Sequence, residues 1–573
     1  MFSAVKKLFC FSLAANLFLT GCSSSGTKKD TGLSQFDSST PATAETSISA
    51  DAEIDPESFE KLTMFSDVDF WDLPEWDFTK GSTSEGISEK TGAYLDITIP
   101  PQDASTKLSQ MILQDNLDDI IVSADKNAIA QLIQSGQVWS LQELLETYCP
   151  DSHLLTEFPQ DIKDELIREY GGWYAYPSHM NSEDARRIWK EKTSYYGDLY
   201  KHSHNNGILW NKKLLEEAGL TVCDVQTASG ALAAYEKVKN LKSDDGESVI
   251  PLLLDGNNYI YFSIPCLIGS FGAEVVDDDG NYIEQWLQPE CKDAFSFLNT
   301  AFRNGYAFSE NLTIDNRQLR TRMASGRIFC FVGNTGNTDF DPTEWVSAGP
   351  IISDSGKRPI MDITLSAPLG WTQTFVSKNC KNPELAARFL DYMTSDEGLF
   401  YIEFGVEGED CYFDKDGYVH LTEQGEKRDA DPDDFLGKFW NFNNYAWKHS
   451  LIPVPEKGSS EYLKNQVQSA FACYPDTYVY DSALLRLPDN YITADSEEGK
   501  INTALDEFRK EQIPKILSAS SDVEFEEAYQ IFVDHQKELG AAKLDEKINK
   551  QMHENYSYYR KTIEKVNKHT ENP

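Results

Sequence analysis

Ala93-Tyr94-Leu95-Asp96-Ile97-Thr98-Ile99 alternates apolar residues with polar or aromatic ones and stops at Pro100-Pro101, which reads as a strand. Leu108, Met111 and Ile112 then repeat at helical spacing, and after Asp115-Asn116-Leu117-Asp118-Asp119 comes the apolar run Ile120-Ile121-Val122. Strand, helix and strand in that order form the unit of a parallel sheet, so the chain reads as α/β. The same grammar continues outward. Ser140-Leu141-Gln142-Glu143 before Leu144-Leu145 opens a helix with a capping box, and Ile208-Leu209-Trp210 leads into the helix Asn211–Ala218, closed by Gly219. Cys291, Phe295, Leu298 and Phe302 share one helical face, and Asn382-Pro383 supplies an N-cap and a first-turn proline. Towards the C-terminus Phe525, Ala528, Phe532, Gln536 and Leu539 form one stripe and Leu544, Ile548 and Met552 another, which predicts two long helices packed on the body.

With 573 residues, 40% of them apolar, the chain can bury more than one core. Lys and Arg number 52 against 93 Asp and Glu, a net charge of −41 that repels phosphate backbones and excludes nucleic acid as a partner. Lys6-Lys7 and the apolar run Leu8–Leu19, too short to span a bilayer, read as an export signal over residues 1–21. The run ends at Leu19-Thr20-Gly21-Cys22, similar to a bacterial lipobox, so Cys22 is the expected site of a diacylglyceryl and palmitate anchor on the extracellular face of the cell membrane. Residues 22–58, rich in Ser, Thr, Ala, Asp and Glu, read as a disordered tether. None of the later cysteines are spaced as CxxC, so neither a zinc ribbon nor a dithiol redox centre is expected.

Catalytic motifs are missing: there is no HExxH, no GxSxG and no GxxxxGK[ST]. His202-Ser203-His204 would put two imidazoles on one face of a strand, yet no other ligand lies near in sequence and no metal is expected. Asp277-Asp278-Asp279-Gly280-Asn281 and Asp414-Lys415-Asp416-Gly417 lack the full calcium-loop series and read as hairpin turns. The aromatic residues are more telling. Trp71, Trp76, Trp173, Tyr174, Tyr176, Tyr259, Trp345 and Trp371 lie outside regular helical faces, many of them beside Gly, Asn or Pro, where a flat ring can face the C–H surface of a sugar.

From about Phe59 onward the sequence resembles the lipid-anchored extracellular solute-binding proteins (family 1) of bacterial ABC importers, in their long, Gram-positive-type branch. The resemblance is carried by Lys90–Ile97, Leu117-Asp118-Asp119-Ile120-Ile121, Gly171-Gly172-Trp173-Tyr174-Ala175-Tyr176-Pro177, Ile208–Leu220, Ser377–Glu384 and Phe404-Gly405-Val406-Glu407-Gly408. Ser243–Leu252 is too short for the calcium loop that some relatives carry, and Thr227-Ala228-Ser229 stands where Pro-Thr-Thr usually starts a helix.

The resemblance implies a two-lobed, periplasmic-binding-protein-like (type II) α/β fold with an interlobe ligand cleft and extra C-terminal helices. Residues 59–175 with about 360–410 would form the N-terminal lobe, and 176–359 with about 411–573 the C-terminal lobe. It implies a monomeric, non-catalytic receptor without a cofactor, which captures a carbohydrate and delivers it to the transmembrane subunits of a permease. Trp71, Asp119, Trp173, Tyr174, Tyr176, Tyr259, Trp345 and Trp371 would face the cleft. A peptide receptor and a surface-tethered glycoside hydrolase are the competing readings. Because acylation needs the thiol, replacing Cys22 by Ser is expected to release the chain from the membrane fraction. Unchanged processing and membrane retention of Cys22→Ser would refute the anchor.

Overall fold

A computed structural model describes residues 55–365, 369–488, 491–493 and 495–571, with side chains up to 559. The export signal, Cys22 and the tether as far as residue 54 lie outside the described residues.

The run Leu-Thr-Met-Phe in Glu60–Ser66 (β1) becomes the middle of the parallel part of a first sheet. It pairs in parallel with Ala93–Thr98 (β2), Leu62 opposite Leu95, and with Ile120–Ser123 (β3), Met64 opposite Ile120. The strand, helix and strand read from the sequence are therefore present, with Ala104–Leu113 as the helix, but β1 lies between the two strands. Every residue of β3 is buried, as expected for a strand covered on both faces. Tyr176–Pro177 (β4) and a later strand described below complete the sheet.

A second sheet is built from Asn206–Asn211 (β5), Ile250–Leu254 (β6), Ile328–Asn334 (β7) and Trp345–Val346 (β8), in the order β6-β7-β5-β8. β6 and β7 are parallel, whereas β5 runs antiparallel to both β7 and β8. Ile360–Ile363 (β9) pairs in parallel with Tyr478–Asp481, and Gln373–Val376 (β10) crosses back to the first sheet, giving the order β2-β1-β3-β10-β4. Each sheet has its own core. Leu62, Met64, Ile120, Leu166, Trp173, Phe389 and Phe435 cluster on one face of the first, and Phe65, Leu108, Ile121 and Phe375 on the other. Trp210, Tyr235, Leu254, Phe295, Phe329, Ile513 and Phe532 belong to the core of the second.

The cores redraw the lobe boundaries expected from the sequence. Cys411, Val419, Phe435, Phe439, Phe442 and Trp447 are buried in the first core, so residues 411–447 belong with the first sheet and not with the C-terminal lobe. Met361 and Ile363 lie in the second core, because the chain changes lobe after β9 and not before it. The stripes at 525–539 and 544–552 lie on the helices Asp522–Leu539 and Ala541–Glu571. A third long helix, Glu497–Leu517, precedes them; Gly499 and Pro514 within it obscure its pattern in the sequence.

A buried amide ties the end of Glu497–Leu517 to the body. Asn299, buried on the helix Pro289–Arg303, donates from Nδ2 to the carbonyls of Ile516, Leu517 and Ala519 at 3.1, 3.1 and 2.8 Å. Asn299→Ala would strand buried carbonyls, a loss of about 1–3 kcal/mol read by urea denaturation. Wild-type stability in that variant would show that water replaces the amide.

Candidate functional site

In an open α/β sheet the loops after the strands are free to meet a ligand, and in each sheet a buried carboxylate shapes them. Asp67, just past β1, accepts from Ser123 Oγ at 2.5 Å and from the Ala124 backbone N–H at 2.8 Å, so it ties its own loop to the one after β3. Asp255, just past β6 and fully buried, accepts from the Asn334 N–H at 2.8 Å and from Asn337 Nδ2 at 3.1 Å, which ties its loop to the one after β7. Gly333, at φ 151°, allows that approach, since a Cβ there would lie 2.5 Å from Asp255 Cβ. Burial raises both carboxyls above their ordinary range, Asp255 to about 6.

The Asp67 loop carries Phe70 and Trp71, which meet a run of rings. Trp371 lies 5.9 Å from Phe70 at 22°, and Trp440 lies 5.8 Å from Trp71 at 14° and 6.1 Å from Trp371. His179 continues the run edge-on, 5.9 Å from Trp371 and 5.1 Å from Tyr445. Tyr445 stacks at 5.6 Å on His449, which stacks at 4.1 Å on Tyr196, and Tyr195 follows at 5.0 Å. Trp371 is 41% exposed and Tyr445 37%, while Trp71 beneath them is 2% exposed. Gly370, at φ 76°, sets the height of Trp371: a Cβ there would collide with the carbonyl of Ser178.

Burial, reinforced by the Lys448 charge, lowers His179 to about 4. Burial, with Arg186 and Lys448 close by, lowers His449 to about 3, so both rings are neutral at physiological pH. Around the rings, Thr372 Oγ1, Gln373 Oε1, Asn441 Oδ1, Asn443 Oδ1, Asn444 Nδ2 and His449 Nδ1 are buried without a hydrogen-bond partner in the protein. The second sheet's side contributes the helix Asn316–Met323, where Arg320 lies 5.7 Å from the Phe70 ring and Arg317 pairs with Asp72 at 2.8 Å. Next to Tyr195 is a hollow of about 470 Å³ lined by Thr193, Asp198, His202, Ser469 and Cys473. A larger hollow of about 610 Å³ lies away from the rings beside Arg428, whose guanidinium is already held by Asp410 and Asp434 at 2.7 and 2.8 Å.

Of the residues singled out in the sequence, only Trp71 and Trp371 belong to this ring run. Trp71 forms the underlayer, with Nε1 donating to the Lys438 carbonyl at 3.0 Å, and Trp371 the exposed surface. Trp173 corrects the expectation drawn from its preceding glycines. Gly171 ends the helix Gln160–Tyr170 in the left-handed region, and the ring then turns inward, 2% exposed, 4.8 Å from Phe158 and covered by Lys163. Tyr176 on β4, Tyr259 and Trp345 on β8 are likewise core rings, and half-buried Tyr174 packs against the Phe65 and Phe375 side of the first sheet. Asp119 lies at the start of β3, not its end, and accepts from Thr63 N–H and Oγ1 at 2.8 and 2.9 Å. Trp76 is half-buried, its Nε1 donating to Ser88 Oγ at 2.9 Å. Phe70, His179, Tyr445 and His449 were not singled out, nor was Trp440, although Trp440-Asn441-Phe442-Asn443-Asn444-Tyr445 alternates rings with Asn in a way the sequence displays.

The other motif readings are plain in the geometry. His202 and His204 lie in the turn before β5, not on a strand, and no group of three possible metal ligands occurs among the described residues. Asp277 and Asp414 each hold a turn by accepting backbone N–H groups, from Asn281 at 2.8 Å and from Tyr418 at 2.9 Å. Among the described residues seven cysteines are free thiols, of which only Cys473 is exposed.

Two sheets with separate cores, joined by chain crossings and facing each other across ring-lined loops, define a two-lobed α/β binding protein of type II. The sequence profile described as "Bacterial extracellular solute-binding protein" matches residues 89–399, more than half of the chain, and the chain belongs to that family. No curated protein matches it in sequence. Among solved structures it is similar to the S. pneumoniae ABC-transporter substrate binding protein FusA in complex with kestose, with a TM-score of 0.61 at 14% identity over 87% of this chain and 100% of that one. An HMO binding ABC-transporter associated solute binding protein from Bifidobacterium longum infantis gives a TM-score of 0.57 at 13% identity over 87% and 99%. The N-glycan transport solute binding protein NgtS from Streptococcus pneumoniae gives 0.54 at 18% over 87% and 99%. Among the described residues no helix is long and apolar enough to cross a membrane.

Truncating a core ring costs about 3–5 kcal/mol, whereas an exposed ring contributes little to folding. Trp173→Ala should therefore lower the stability read from thermal or urea melts by that amount, and Trp371→Ala by less than about 1 kcal/mol. Equal losses would mean that Trp371 is structural.

Proposed function

We propose that the protein is the substrate-binding lipoprotein of an ABC importer and that it captures an uncharged oligosaccharide on the ring run between its lobes. The observation that carries this reading is Trp371, 41% exposed on a stack of Phe70, Trp440 and Trp71, with Arg320 of the other lobe beside Phe70. Exposing such a surface to water is unfavourable for a monomer unless something covers it, and the C–H faces of sugar rings do so while their hydroxyls reach polar atoms at the edge. The kestose in the FusA complex and the glycans in the names of the other similar proteins agree with this chemistry.

Charge narrows the ligand class. The protein carries −41 overall, and cations beside the rings are already engaged: Arg317 with Asp72 at 2.8 Å, Arg320 with Asp339 at 3.1 Å, Lys448 with Glu403 at 2.5 Å, and Arg186 with Glu191. With both histidines neutral, an acidic sugar would enter a negative field in which these four cations already hold carboxylates. Binding requires no covalent step; closure of the lobes on the ligand presents the loaded form to the permease. Cys22 anchors the chain outside the cell, which keeps the site near that permease.

The test is a thermal-shift panel of neutral fructo-, gluco- and manno-oligosaccharides beside uronate oligomers. A ligand at 100 times its Kd adds about 2.7 kcal/mol, and the neutral arm should contain the hit. Cys473, in the hollow next to Tyr195, gives an independent readout: the hit should slow its alkylation, and Trp371→Ala should abolish both effects without unfolding. A uronate hit overturns the charge argument. A hit unaffected by Trp371→Ala overturns the platform, and recovery of shortened glycans overturns the receptor.

A further inference from the structure

A buried charged group outside the ring run joins the two lobes. Glu165 lies on the helix Gln160–Tyr170, whose Ile162 and Leu166 are in the first core, and its side chain is only 2% exposed. Three groups converge on its carboxylate. Arg168, one turn along the same helix, donates from Nε to Oε2 at 3.0 Å and from NH2 to Oε1 at 2.5 Å. Arg486 donates from NH1 to Oε1 at 2.7 Å, and the Tyr559 hydroxyl donates to the same oxygen. Arg168 NH2 also reaches the Tyr559 oxygen at 2.8 Å.

The last two partners belong to the other lobe. Arg486 follows Tyr478–Asp481, the strand that pairs with β9 and contributes Val479 to the second core. Tyr559 lies on the helix Ala541–Glu571, which is fixed to the same segment: Asn555 Nδ2 donates to the carbonyls of Leu484 and Arg486 at 3.2 and 2.6 Å, and Met552 and Tyr559 pack on Ala483 and Leu484. Further up, the Tyr282 N–H donates to Asn549 at 2.9 Å. The helix is thus part of the second lobe over most of its length and touches the first lobe at Glu165.

We propose that the Glu165, Arg168, Arg486 and Tyr559 cluster is a clamp that fixes the C-terminal helix of the second lobe to the first lobe and so limits how far the two lobes swing apart. A buried carboxylate shared by two guanidiniums and a phenol is directional and hard to separate, because parting the lobes would strip Glu165 of its Arg486 and Tyr559 donors and leave it to Arg168 alone. The contact at the rim of the cleft is different in kind. Arg317 and Asp72 are 56% and 74% exposed, so water replaces that pair at little cost when the lobes part. Motion is consequently free at the rim and restrained at the clamp. The proposal rests on the two-lobed receptor reading, but its test needs no ligand.

Labels placed at Leu113 on the first lobe and Val523 on the second, both strongly exposed, report the separation of the lobes by single-molecule energy transfer in the full chain. Glu165→Gln, which keeps the shape and removes the charge, and Tyr559→Phe, which removes one hydroxyl, should each broaden the distance distribution towards longer values and raise the radius of gyration in scattering. Tyr559→Phe should do so while still melting cooperatively. If Tyr559→Phe, and Glu165→Gln where it folds, keep the wild-type distribution and lose only melting temperature, the cluster is packing alone and the clamp is refuted. A failed glycan screen with a broadened distribution would refute the receptor chemistry and leave the clamp standing.

Discussion

The architecture depends on placing a carboxylate where water is scarce, once in each lobe. Asp67 sits just past β1 and Asp255 just past β6, and each has its charge met by donors from the loop after a neighbouring strand. Burying a carboxylate is costly unless its lone pairs are filled, so each loop pair is held in the one arrangement that fills them. That the Asp255 carboxyl remains raised to about 6 shows that the donors offset burial only in part. The rigidity matters because Phe70 and Trp71 lie three and four residues beyond Asp67, too close to wander if the loop is fixed. A platform that must meet a flat ligand gains affinity from being built beforehand.

Above that frame, ring stacking divides labour between stability and recognition. Trp71 and Trp440 are parallel at 5.8 Å, and the lower ring satisfies its N–H on the Lys438 carbonyl, so it needs nothing from a ligand. Trp371 lies on top of the stack with its face open. The histidines play the same part as the other rings: at about 4 and about 3 they are uncharged aromatic surfaces under physiological conditions. Burial and the nearby Lys448 and Arg186 charges keep them so, which makes the run uniform from Trp371 to Tyr196.

Local pattern was enough to read the fold class, and long-range pairing was not. The segment 93–122 announces strand, helix and strand, yet nothing in it shows that β1 is inserted between its strands, since pairing order is set by contacts distant in sequence. Residues 411–447 lie between elements of different lobes, and their apolar residues could cover either core. Asn382 and Gly219 were legible because capping is local: Asn382 accepts from the Leu385 N–H at 3.1 Å, and Gly219 has φ 61°. At the site, a ring beside glycine was a poor guide. Trp173 and Trp371 both follow glycine, and only the packing of Phe158 and Lys163 over the former separates core from surface. Glu165 and Tyr559 are far apart in sequence, and no spacing rule connects them.

The position of the restraints decides what a ligand must supply. Two lobes joined by chain crossings would sample many openings, and a ligand bound by both lobes would have to offset that freedom as well as the desolvation of the polar edges. An exposed ion pair such as Arg317 with Asp72 contributes about 0–1 kcal/mol, too little to hold the cleft shut in the absence of ligand. A restraint at Glu165, which uses none of the ring-run residues, narrows the range of openings without occupying the binding surface. The apparent affinity of a receptor falls in proportion to the fraction of molecules able to close, so narrowing that range strengthens capture without adding a contact to the ligand. The ring run can then stay chemically plain, a set of flat uncharged faces, while the geometry of closure is set elsewhere in the molecule.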